Sequence, residues 1–118
     1  MPATLVWGKR IRLESNGDTS GRIYDEVHGV DGGVEFLSWS SIAEVRCITE
    51  QYGISPEIWP VYPNCEVANE VPLREAQLRS NMLRHALKVV PSDVVRENHW
   101  LKRIVEILDG DNVFFVMV

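Results

Sequence analysis

The seven residues Asn112 to Val118 (NVFFVMV) constrain the fold more than any other stretch of this chain. All but Asn112 are apolar, and most are β-branched or aromatic, which suits a pleated strand. Side chains alternate between the two faces of a strand, so an unbroken apolar run must be covered on both. Left at an edge, the same run is a template for aggregation. The segment is therefore predicted to lie at the centre of a sheet.

The residues before it read as two helices. Leu73, Ala76, Met82, Leu83, Ala86, Leu87 and Val90 recur at helical spacing, with Pro72 at or just before the first turn. Pro91-Ser92-Asp93 ends this helix and begins another, with Ser92 as the expected N-cap. Val94, Leu101, Ile104, Val105 and Leu108 form the second apolar stripe, and Gly110 follows as the expected C′ residue.

The first third reads as strands. Ala3 to Trp7 is rich in β-formers, and Lys9 to Glu14 alternates basic with apolar residues. Ser15-Asn16-Gly17-Asp18 and Val30-Asp31-Gly32-Gly33 are strong turns. They bracket a third strand, Arg22 to His28, and a fourth runs from Val34 to Trp39. The period then changes. Ile42, Val45 and Ile48 are helically spaced, Ser41 with Glu44 fits a capping box, and Gly53 stops the helix near Tyr52. Pro56, Pro60, Pro63 and Pro72 keep residues 54–72 out of any central strand or long helix.

A chain of 118 residues is the length of one domain, here 1–118, and can bury a core without staples. The expected architecture is α+β: an antiparallel sheet of N-terminal strands plus the buried C-terminal strand, packed against two or three helices. The first residues lack the apolar run of a signal peptide, and no apolar stretch is long enough to span a membrane. Cys47 and Cys65 stand apart, outside any CxxC or Cys/His cluster. A cytoplasmic protein with reduced, partly buried thiols is the expectation.

Charge is distributed unevenly. Residues 25–72 hold nine acids, Asp25, Glu26, Asp31, Glu35, Glu44, Glu50, Glu57, Glu66 and Glu70, against the single base Arg46. The segments on either side are slightly basic, and the chain's formal charge is −5. Such a field repels nucleic acid and anionic membrane and attracts a basic partner. The plain reading is a wet, solubilising face. The acids, however, coincide with Tyr52, Trp59 and Tyr62, and aromatic side chains are common anchors of protein interfaces. For Trp59 and Tyr62, interface and core remain equally open at this stage.

Chemical motifs are sparse. His28, His85 and His99 show no metal-ligand spacing, so no metal or other cofactor is expected. There is no GxSxG elbow, and Cys47, beside Ile48, reads as core. The glycines of HGVDGG lack the spacing of a phosphate loop and fit a hairpin turn better. Carboxylate pairs abound, but a general acid also needs burial, which sequence does not display.

A small, acidic α+β chain ending in helix (PLREAQLRSNMLRHALKVV), helix (SDVVRENHWLKRIVEILDG) and strand (NVFFVMV) resembles bacterial toxin-immunity proteins of the contact-dependent growth inhibition type. That resemblance implies a non-enzymatic protein that binds and neutralises a cognate toxin with a basic surface, such as a nuclease domain. Asp25, Glu26, Asp31, Glu35, Glu44, Glu50, Glu57, Glu66 and Glu70 would supply charge, and Tyr52, Trp59 and Tyr62 apolar anchoring. Two other readings stand beside it. One is a small enzyme using carboxylates as acid and base. The other is a homo-oligomeric subunit, a homodimer for instance, pairing through an exposed NVFFVMV edge.

Overall fold

The computed structural model describes residues 2–9, 33–63 and 71–118. The strand at Asn112–Met117, β4, lies inside a four-stranded sheet. Its neighbours are β1 (Pro2–Lys9) and β3 (Val61–Tyr62), and β2 (Gly33–Ser38) pairs with the far side of β1, giving the order β2-β1-β4-β3. β1 is antiparallel to both β2 and β4, whereas β3 runs parallel to β4. The α+β class and the central C-terminal strand are as expected. The parallel pairing is the added feature, so the sheet is mixed. The expected strands 9–14 and 22–28, apart from Lys9 at the end of β1, and the two strong turns except Gly33 lie outside the described residues.

Four helices complete the described fold: α1 (Trp39–Glu50), α2 (Leu73–Ala86), α3 (Ser92–Glu97) and α4 (His99–Asp109). Single 3-10 turns occupy Pro56–Ile58 and Leu87–Val89. One face of the sheet carries Ala3, Leu5, Leu37, Phe114 and Val116. It is covered by Ile42 and Val45 of α1, Leu83 of α2, and Leu101, Ile104, Ile107 and Leu108 of α4. A smaller cluster on the other face joins Val6, Val113 and Phe115 to Val71 and Ala76.

The free half of β4's outer edge is closed by side chains of α2. Ser80 is fully buried; its hydroxyl accepts from the Phe114 N–H at 3.1 Å and turns its proton toward the carbonyls of Phe114, at 3.0 Å, and Ala76, at 2.8 Å. Arg84 donates to the Leu108 carbonyl at 2.9 Å and to that of Asn112. Farther along, the Val116 and Val118 N–H groups donate to Pro60 and Tyr62 carbonyls. Hydrogen-bonding groups on both edges of β4 are thus engaged, which removes NVFFVMV as an exposed pairing edge.

The helix boundaries depart from expectation where a nearby side chain caps better. α1 is capped by Ser38, whose Oγ accepts from the Ser41 N–H at 3.1 Å, so Ser41 lies inside the helix and no Ser41–Glu44 capping box forms. Residues 92–109 make two helices. Asn98 turns extended, and its Oδ1 accepts from the Leu101 N–H at 2.9 Å, a side-chain cap that starts α4 afresh. Ser92 is the first helical residue of α3 and makes no capping bond. After α4 the left-handed residue is Asp111 (φ 60), not Gly110 (φ −78). Met82, expected on the buried stripe, is 46% exposed, because α2 faces the sheet with Ala76, Ser80 and Leu83 instead.

Candidate functional site

α1 follows β2 without a linker, because Ser38 ends the strand and caps the helix at once. Ile42, Val45 and Thr49 turn inward. At the next positions around the helix, Ser40, Ala43, Glu44, Cys47, Glu50 and Gln51 form one exposed stripe. Gly53 closes the helix at φ 85, a conformation costly for side chains with a Cβ. Its N–H donates to Glu50 and that of Ile54 to Thr49, the paired bonds of a Schellman cap. This cap leaves Tyr52 at the surface, 37% exposed, just past Glu50.

Arg46 then locks the following segment against α1. Its Nε and Nη2 donate to the Pro56 carbonyl at 3.2 and 2.9 Å. The turn Pro56–Ile58, capped by Ser55, is held beside the helix, and exposed Glu57 lies on it. Burial lowers the Arg46 guanidinium's pKa, and the nearby Arg79 charge adds to that effect. Arg46 remains a cation but is spent on a backbone carbonyl. The one base among residues 25–72 therefore does not neutralise the stripe.

Glu44, Glu50 and Glu57 are exposed, and none makes an ion pair among the described residues. Glu44 accepts only a long bond from Asn98 Nδ2 at 3.4 Å. Glu44 and Glu50 lie on the exposed stripe of α1, Tyr52 just past its end, and Glu57 on the turn that Arg46 clamps to it.

The other candidates divide. Trp59 is 1% exposed and meets Phe114 edge-on at 6.1 Å, so of its two readings the structure takes the core. Its Nε1 finds no acceptor among the described residues. Tyr62 is half-buried in β3, with the Arg79 guanidinium 6.0 Å from its ring centre. Arg79 also donates to the Trp59 carbonyl at 3.1 Å and pairs with Glu75 at 2.6 Å. Glu35 lies elsewhere, on the helix-facing side of β2, and is neutralised there. Arg103 of α4 grips it through Nε, at 2.9 and 3.0 Å, and Nη2, at 2.9 Å, while Trp7 Nε1 donates to it at 2.9 Å. The Arg103 bonds hold the Glu35 carboxyl below its usual pKa, overcoming the opposing push of partial burial. Asp25, Glu26, Asp31, Glu66 and Glu70 lie outside the described residues, as does Cys65.

Cys47 is exposed between Glu44 and Glu50, contrary to the expected core position, because α1 buries Val45 and Thr49 on its opposite side. Neither Arg46's inward role nor the Trp7–Glu35–Arg103 cluster carried a sequence signal. Each joins residues on different elements with no shared motif.

Among the described residues no group of three His, Cys, Asp or Glu side chains converges to hold a metal. No described helix is long and apolar enough to cross a membrane. One hollow of about 210 Å³ lies between α2 and α4, lined by Arg84, Leu87, Lys88, Val105, Leu108 and Asp109. Arg84 is committed there to backbone carbonyls and to Asn81. In comparison with known proteins, the chain matches no family model, no curated protein and no solved structure.

Proposed function

We propose that this chain is a non-enzymatic binding protein that captures a basic protein surface on the acidic face of α1, and that its partner is a toxin it neutralises. One observation carries the reading. Glu44, Glu50 and Glu57, on α1 and the turn clamped to it, stand exposed with no ion pair among the described residues, and Tyr52 is exposed just past the end of α1, while Arg46 is turned inward onto Pro56. Carboxylates left without counter-charges steer a basic partner and speed encounter. An exposed tyrosine supplies apolar contact at low entropic cost. Toxin neutralisation draws on the resemblance to immunity proteins. A nuclease presents lysine and arginine to phosphate, and a carboxylate-bearing helix occupies the same charges with no chemistry of its own.

The test is capture of partners by the tagged protein from its native host, with stepwise elution by salt. Recovery of one basic toxin-domain protein, released as ionic strength rises, supports the reading. The triple variant Glu44→Lys, Glu50→Lys, Glu57→Lys should then bind at least about tenfold more weakly. Recovery of bait alone from a host expressing such a toxin, or an unaffected triple variant, counts against it.

A further inference from the structure

The hydrogen-bond register of the sheet identifies a second surface. The N–H groups of Phe114 and Val116 point away from β1, toward Ser80 and Pro60. In an antiparallel pair, alternate residues exchange bonds, so Val113, Phe115 and Met117 bond Gly8, Val6 and Thr4. Ala3, Leu5 and Trp7 are left to bond Leu37, Glu35 and Gly33. Val34, Phe36 and Ser38 must therefore present their backbone groups to the outer edge of β2. Among the described residues β2 is the last strand on that side, and none of them bonds Val34 or Phe36 there.

We infer that β2 is a self-pairing edge, and that two copies of this chain join β2 to β2 antiparallel about Phe36. Four features favour a second copy as the occupant. The strand is self-complementary: with Phe36 opposite its own copy, Val34 faces Ser38, and the Ser38 N–H meets the Val34 carbonyl. Phe36 is 74% exposed, the most exposed large apolar side chain described, and the twofold pairing lays its ring against its copy. The usual guards of an edge strand are missing, since Gly33–Ser38 holds no lysine, no proline and no outward charge. Its one charge, Glu35, points to the helical layer and is neutralised by Arg103 at 2.9 Å, so apposed copies bring no bare charges together on the strand.

The dimer is weak, because a single strand pair buries far less than a standard interface. It carries a salt signature opposite to that of partner capture. Each copy has a formal charge of −5, so added salt relieves repulsion and tightens the dimer. This separates failure of self-pairing from failure of the acidic-face reading.

The experiment combines sedimentation equilibrium with amide hydrogen exchange on the full chain, between about 10 μM and about 1 mM. The expected result is a monomer–dimer equilibrium that tightens with salt. The Val34 and Phe36 amides, without partners among the described residues, should slow about tenfold over that range, while the Phe115 amide does not respond. Phe36→Lys should abolish both effects. A monomer throughout, or a dimer in which Val34 and Phe36 still exchange freely, overturns the inference. Both readouts on the wild-type chain decide it even if the variant folds poorly.

Discussion

Arg103 of α4 grips Glu35 of β2 with two nitrogens while the guanidinium lies 5.4 Å from the centre of the Trp7 ring, tying the outer strand pair to the helical layer. Because Glu35 titrates below its usual value when folded, its contribution to stability is complete above the ordinary carboxylate range, near 4.5, and is lost as pH falls through the lowered value. Glu35→Gln should cost about 1 kcal/mol at neutral pH. The difference from wild type should shrink as denaturation is repeated at pH values below 4.5. A gap that stays constant with pH would refute this linkage.

Ser80→Ala removes one buried hydroxyl and leaves both backbone groups of Phe114 without their partner. A cost of about 2–3 kcal/mol is expected in urea unfolding, well above that of deleting an exposed serine. Ser55→Ala, where the hydroxyl only caps an exposed turn, provides the comparison at about 1 kcal/mol or less.

Trp59 and Tyr52 should separate stability from binding. Trp59→Ala opens a cavity beside Phe114 and should cost about 3–5 kcal/mol. Trp59→Phe also removes the indole N–H, which has no acceptor among the described residues, so it should cost much less and leave affinity for the captured partner unchanged. Tyr52→Ala should do the reverse, weakening capture with little change in melting temperature. Calorimetry and titration of the same variants check both halves.

Gly33 lies beneath the Trp7 ring, where a Cβ would come within 2.6 Å of the indole. Gly33→Ala should push the ring aside, lengthen the Trp7–Glu35 bond and cost about 1–3 kcal/mol. Tryptophan fluorescence should shift with it.

Cys47 offers a probe of the acidic stripe. Its thiol is exposed, so a native-state thiol reagent should modify it without unfolding. A bulky adduct between Glu44 and Glu50 should block partner capture while the circular dichroism spectrum is unchanged.

The elements legible in the sequence were those whose evidence is local or overwhelming. NVFFVMV could only be central, and the stripe Leu101, Ile104, Leu108 is as helical in the structure as its spacing requires. Asn98 was harder to see, since one capping side chain split what periodicity joined. The parallel partner of β4 was hidden because Val61–Tyr62 is too short to show a period and lies among prolines. Charge composition marked the region of the candidate surface but did not distinguish Glu35 from Glu44. That difference depends on Arg103, far along the chain, and on which face of β2 Glu35 occupies.

The central position of β4 also sets an order of events. Thr4 lies opposite Met117, far along the sequence, so β1 is made well before β4 and its inner edge waits until that strand is synthesised. Such a distant closure slows folding and leaves an early strand exposed in the meantime. The same geometry allows reassembly from pieces. A fragment from Gly33 onward would carry a vacant slot between β2 and β4, shaped for Pro2–Lys9 supplied as a separate peptide.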